Sequence, residues 1–278
     1  MFDAPSQLPG EISMQRSHGE AAVAFAQATT GARLTGLRQR GSAKALLPRV
    51  RGVPEVVFLN TSGGLTTGDT LSYAIDIAGG ACVVATTQAA ERAYRAEAGP
   101  ADVRVTHQVG PGGWLDWLPQ ETILFDRANL RRQTRVDLAP NAGCLLLEAV
   151  VLGRAAMGEQ INTLQFSDIR EVYRAEKPVF IEPLMLNSDI LLRRGNPALL
   201  SGARAFATLA LIAPGAEDAL EPARRALGEA GVEGAASAFD GKLVLRLLAA
   251  DGWPLRRQIL KLMDVLRRGA APPRVWQL

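Results

Sequence analysis

The stretch Ala74-Ile-Asp-Ile-Ala-Gly-Gly-Ala-Cys-Val-Val-Ala-Thr86 decides how the fold is read. An alternating segment ends in a Gly-Gly turn, and a second, apolar segment follows. The same plan returns in "VTHQVGPGGWLDW" (105–117) and "RVDLAPNAGCLLLEA" (135–149). The turn glycines Gly80, Gly113 and Gly143 recur at a spacing of roughly 30 residues, a period that stacked repeat architectures use. Hairpins laid on one another predict a layered, β-helical-type body. Three loose copies are also compatible with ordinary antiparallel hairpins in a sandwich.

The flanking sequence is rich in strands too. Leu71, Tyr73, Ile75 and Ile77 share one face of an alternating run, and Val103 to Val109 alternates likewise. Leu145 to Leu152 is almost unbroken apolar, which suits a strand covered on both faces. In "PVFIEPLML" (178–186), Pro178 and Pro183 place the strand at an edge or bend. "NSDILLRRGNPALLSG" (187–202) reads as loop, and Phe206 to Ala213 and Lys242 to Ala250 read as strands.

Helical spacing predicts a helix over 216–230, with Pro222 in its first turn or at a kink. A clearer helix spans 251–268, with Leu255, Ile259, Leu262, Met263 and Leu266 on one face and Gly269 closing it. The expectation is therefore a mostly β chain with about two α-helices in the C-terminal third. Residues 1–20 are expected to be a flexible segment and 21–278 a single domain.

The composition narrows the function. Of the 278 residues, 47% are hydrophobic and 21% charged, which excludes a disordered chain. Thirty-one basic residues against 28 acidic ones argue against a nucleic-acid partner. No apolar stretch reaches the roughly 20 residues that cross a bilayer, so no membrane role is expected. Neither a signal-peptide pattern nor a disulfide pattern is present, since Cys82 and Cys144 each lie in an apolar run. A cytoplasmic protein is the expectation.

"LNTSGGLTTGD" (59–69) looks like a phosphate loop but lacks the chemistry. A Walker A loop places lysine after its last glycine; here Asp69 follows Gly68, and a carboxylate repels phosphate. The remaining reading is a tight connection in which Gly63, Gly64 and Gly68 supply positive φ. His18, His107 and the two cysteines have no metal-ligand spacing, and His107 reads as structural. Two lone histidines make a nucleophilic triad weak. Acids within or beside apolar strands stand out: Asp69, Glu91, Asp116, Glu121, Glu148 and Glu182. A buried carboxylate is costly unless it is paired or wet. Pairing with arginines such as Arg92, Arg95 or Arg154, and a water-filled polar path, are both open.

Four motifs in order resemble one family. They are "NTSGGLTTGD" (60–69), "TTQAAERAYRA" (86–96), "WLPQETILFDRANLRR" (117–132) and "VVLGRAAMGE" (150–159). Together they resemble the urease accessory protein UreD (UreH) family, over roughly residues 20–278. The matching positions are Gly63, Gly64, Gly68 and Asp69; Glu91 and Arg92; Trp117, Pro119 and Gln120; and Gly153, Arg154, Gly158 and Glu159. The resemblance implies a non-catalytic urease maturation factor with a layered β fold. With UreF and the GTPase UreG, such a protein docks on the urease apoprotein and helps deliver nickel. It implies no tightly bound cofactor, with Ni2+ present only in passage. Asp69, Glu91, Glu148 and Glu182 are the candidates to line that passage, since oxygen ligands release nickel more readily than thiolates or imidazoles. Two other readings stand beside this one: a β-helical carbohydrate-active enzyme using paired carboxylates, and a generic protein-binding module.

Overall fold

The computed structural model describes residues 16–29 and 31–277. An antiparallel hairpin of β1 (His18–Ala28) and β2 (Gly31–Gly41) leads to a short β3 (Ala43–Leu46). The chain then winds in coils. The first runs from β4 (Glu55–Asn60) to β5 (Thr70–Ile77), the second through β6 (Cys82–Thr87), β7 (Glu91–Ala93) and β8 (Ala101–Val109). The third has β9 (Trp114–Trp117), β10 (Thr122–Leu124) and β11 (Ala128–Leu138), and the fourth β12 (Gly143–Leu152) and β13 (Leu164–Arg174). β14 (Lys177–Asn187), α1 (Ser188–Leu192), β15 (Ala205–Ile212), α2 (Leu220–Ala226), β16 (Val232–Phe239), β17 (Lys242–Ala249) and α3 (Gly252–Leu266) complete it.

Each coil gives one strand to each of two facing sheets. The first sheet runs β14-β13-β11-β8-β5-β1-β2, and the second runs β16-β17-β15-β12-β9-β6-β4-β3. Within them β5, β8, β11 and β13 are parallel, as are β4, β6, β9 and β12. The layered, β-helical expectation therefore holds. The two strands of a repeated unit pair with the next coil and not with each other: Ile75 lies opposite His107, and Val83 opposite Leu115. Each unit is thus an arch between sheets, and parallel pairing of successive coils sets the fold apart from a hairpin sandwich. The turn glycines serve different ends. Gly80 adopts φ +75°, whereas a Cβ on Gly143 would sit 2.5 Å from the Trp114 ring.

Helices α2 and α3 form a third layer on the second sheet. Leu255, Ile259, Leu262, Met263 and Leu266 are all buried against Leu145, Leu147, Leu209 and Leu245. This covers the outer face of β12, whose ten residues are all buried, so its unbroken apolar run has two cores to fill. The helix expected over 216–230 is shorter. A 3-10 turn, Ala216–Ala219, precedes α2, and Pro222 does sit in the first turn. Leu227 turns extended and Gly228 takes φ +119°, which ends it. The stretch read as loop over 187–202 contains α1, capped by the Asn187 side chain accepting from Ile190 N at 2.9 Å.

Pro178 and Pro183 lie on β14, the edge of the first sheet, as their missing N–H groups require. His18 to Glu20, inside the segment expected to be flexible, already belong to β1; residues 1–15 of that expectation lie outside the described residues.

Candidate functional site: a buried line of acids and arginines

The interior of the coils is not uniformly apolar. Across the first sheet, one inward row reads Leu71, Val103, Arg132, Asp168, and the next reads Tyr73, Val105, Thr134, Arg170, Glu182. Period-2 alternation on each strand points all of them inward. The early coils fill the space with hydrocarbon, and the later ones fill it with charge.

These charges interlock. Arg132 donates to Asp168 through Nε to Oδ1 and Nη2 to Oδ2, both at 2.9 Å, and through Nη1 to Thr122 Oγ1 at 2.9 Å. Glu148 faces them from β12. Its Oε1 accepts from Trp117 Nε1 at 3.3 Å, and its Oε2 lies 2.9 Å from Arg132 Nη1 as an ion pair without hydrogen-bond geometry. Arg170 lies 3.5 Å from Asp168 and 3.2 Å from Glu182. Glu182 Oε1 accepts from Arg246 Nε at 2.8 Å and from Thr208 Oγ1 at 3.4 Å. The line thus runs from Glu148 to the edge of the molecule at Arg246, with carboxylates and guanidiniums in alternation. All of its members except Glu182 and Arg246 are buried.

Electrostatics follow from this packing. Burial raises the Glu148 carboxyl above its usual range, against the pull of Arg132. Burial would raise Asp168 too, but the Arg132 guanidinium outweighs it and holds that carboxyl below its usual range. Nearby, His107 packs its ring 4.7 Å from that of Trp117, and burial pushes its pKa down to about 3, so the imidazole is neutral. Neither ring nitrogen has a hydrogen-bond partner among the described residues.

Glu91 sits at the other end of the line. A surface cavity of about 190 Å³ is lined by Asn60, Gly63, Tyr73, Thr87, Glu91 and Arg92. A small void of about 40 Å³ continues inward past Tyr73, Thr87 and Glu91 to Thr122, Arg132 and Glu148. The Glu91 carboxyl accepts from Asn60 Nδ2 at 3.4 Å, and burial pushes its pKa up to about 7. It therefore exchanges a proton near neutrality.

Asp69 stands apart. Its Oδ1 accepts from Ser17 N at 2.7 Å and its Oδ2 from Thr66 N at 2.8 Å, so both oxygens close the turn that ends the Gly63-Gly64 loop. The loop carries the chain from β4 to β5, and a strand rather than a helix follows it. Glu121 and Asp116 pair with Arg256 and Arg267 of the helical layer. Among the described residues, no three His, Cys, Asp or Glu side chains converge to hold a metal ion. Paired carboxylates of a glycosidase must face an open sugar groove; Glu148 and Asp168 are buried and locked on Arg132. Sequence reasoning missed Arg132, Asp168, Arg170 and Thr122. The signal for the first three was phase: Arg132 lies between Leu130 and Thr134 on one face, and Asp168 and Arg170 lie between Phe166 and Val172 on one face.

A family model described as the UreD urease accessory protein matches residues 17–277. The chain belongs to the UreD family. A UreD of one Cereibacter sphaeroides strain is 60% identical over 270 residues, covering 97% of this chain and 98% of that protein. A UreD of another strain is 64% identical over 271 residues, with the same coverage. A UreD of Paracoccus denitrificans is 56% identical over 280 residues, covering 100% and 97%.

The four UreD-like motifs, far apart in sequence, stack at one corner of the coils. Leu65 bridges Ala93, Glu91 lies opposite Thr122, and Thr122 opposite Val150. Asp126 N donates to Glu159 Oε1 at 3.2 Å, and Arg154 Nε to Glu159 Oε2 at 2.8 Å. Gly153 and Gly158 take φ +69° and +67° to turn this corner. Trp117 anchors Glu148, while Pro119 lines the void and Gln120 donates to Val275 O at 3.2 Å, tying the C-terminal tail down. The side chain of Arg92 is exposed at the mouth of the cavity. The family motifs thus frame the corner that holds the Glu91 cavity, next to the inner end of the charged line.

Proposed function

We propose that this chain works in urease maturation as a scaffold that, with UreF and the GTPase UreG, docks on the urease apoprotein and passes nickel to it. The observation that carries this reading is the charged line itself, in a chain that belongs throughout its described length to the UreD family. A row of carboxylates through a hydrophobic body is expensive to build, and the arginines keep it neutral when no cation is present. Nickel would enter at the Glu91 cavity or at the Arg246 edge and move between Glu148, Asp168 and Glu182. Oxygen ligands bind it weakly enough to release it.

The chemistry asked of the chain is binding and positioning, with hydrolysis of GTP left to UreG. A loop with Asp69 where a phosphate-binding lysine belongs supports that division. A protein of this kind holds no resident cofactor; nickel is its cargo. Asp69 contributes by fixing the corner loop, and Glu91 by taking up or losing a proton at the mouth.

Mixing the purified chain with purified UreF and urease apoprotein tests the reading. A stable complex that yields active urease once UreG, GTP and Ni2+ are added is expected. No complex with either protein would overturn it.

A further inference from the structure

The strand that carries Glu182 has two faces. The inner one ends the charged line. The outer one presents Ile181, Pro183 and Met185, with Ile169 of β13 directly opposite Pro183. Residues two apart on a strand share a face, so these four side chains form one contiguous patch. Ile169, Ile181 and Met185 are 37%, 51% and 67% exposed. Contiguous exposed apolar side chains on a soluble protein mark contact with another protein.

β14 is also the last strand of its sheet. Pro178 and Pro183 withhold two N–H donors, which disfavours adding a further strand and leaves the face for side-chain docking. Across the edge, Arg246 reaches Glu182 from β17 with a side chain 61% exposed. The guanidinium end of this ion pair is open to water while Glu182 is also held by Arg170, so a competing carboxylate can take the guanidinium.

We propose that the β14 edge is a docking surface for a protein partner whose contact face sets apolar side chains around a carboxylate. Docking draws Arg246 off Glu182 and opens the charged line at that end. The docking stands on the apolar patch and the exposed Arg246 guanidinium beside it; the opening rests on the reading that the line carries nickel.

The test uses the full chain with Ile181→Asp and Met185→Asp together, and purified UreF and urease apoprotein as separate probes. Both substitutions are at exposed positions, so thermal melting should stay near that of the parent; if yield falls, the Ile181→Ser, Met185→Ser pair replaces them. The expected result is a loss of at least tenfold in affinity for one of the two probes, with the other unchanged. Arg246→Glu should weaken the same probe, and Arg246→Lys should not. Unchanged affinity for both probes overturns the proposal. So does a wild-type homodimer that the double variant splits while both probes still bind, since a second copy would then be the occupant. Normal docking combined with failed activation by Glu182→Gln would sink the docking edge alone. Lost docking combined with normal activation by Glu182→Gln would sink the nickel route alone.

Discussion

Arg132 grips Asp168 with two parallel N–H···O contacts of 2.9 Å and turns its remaining Nη1 toward Thr122 and Glu148. One guanidinium therefore neutralises acids from both sheets and pins the third coil to the fourth. Removing it strands two buried carboxylates. Arg132→Met should lower unfolding stability by about 3–5 kcal/mol, the range for breaking a buried pair from one side. Arg132→Lys keeps the charge but loses the two-pronged geometry and should fall between. Urea denaturation of the purified variants gives the order, and a Met variant as stable as the parent would contradict the geometry.

Glu91 makes stability depend on pH. Burial raises its folded pKa to about 7, above the unfolded value near 4.5. The folded state then holds the proton more tightly than the unfolded one. Its contribution is fully present below about pH 4.5 and is lost as pH rises through 7. Glu91→Gln stays neutral throughout, so its melting temperature should exceed that of the parent at pH 8 by a few degrees, with about 1 kcal/mol moving Tm by ~2–4 °C. At pH 5 the two should converge. Equal melting at both pH values would refute the shifted carboxyl.

The apolar stripe of α3 is spent on the chain's own core. Ile259 is buried against the second sheet, so Ile259→Asp should cost at least about 3 kcal/mol by burying an unpaired charge. Soluble yield of the isolated chain should drop. Normal solubility with partner binding lost would instead put the stripe at an interface.

The corner loop makes an ordered prediction. A Cβ on Gly64 would lie 2.3 Å from the Tyr94 ring and 2.8 Å from Arg92 O, whereas one on Gly63 meets nothing within 4 Å. Both have positive φ, which alone costs about 1–2 kcal/mol for alanine. Gly64→Ala should therefore destabilise more than Gly63→Ala. The reverse order in thermal melts would show that the loop packs differently.

Much of this was legible in the sequence because period-2 alternation and turn spacing are local. The three strand-turn-strand units, the edge placement of Pro178 and Pro183, the doubly covered β12 and the α3 stripe all follow from residues within a few positions of one another; that the units are arches between sheets and not the expected hairpins does not. What was not legible depends on register between coils. Glu148 and Glu182 stood out as acids in apolar runs, yet their partners Arg132 and Arg170 come from strands whose pairing no local pattern fixes. Arg154 is nearer to Glu148 in sequence than Arg132 is, but it sits on the outside of the motif corner, as do Arg92 and Arg95. Asp69 looked like Glu148 on paper; only the loop geometry shows its oxygens committed to Ser17 and Thr66 N–H groups. The brief α1 escaped because five residues are too few for a helical period to show.

The central claim is that the charged line conducts nickel. A Glu148→Gln, Glu182→Gln double variant keeps side-chain size and removes two of the line's carboxylates. The decisive measurement is nickel bound per urease active site after a fixed time in a reconstituted mixture with UreF, UreG, GTP and Ni2+. The account predicts a variant that folds and enters the complex yet leaves urease largely without nickel. A stable double variant that loads urease as fully as the parent would contradict it.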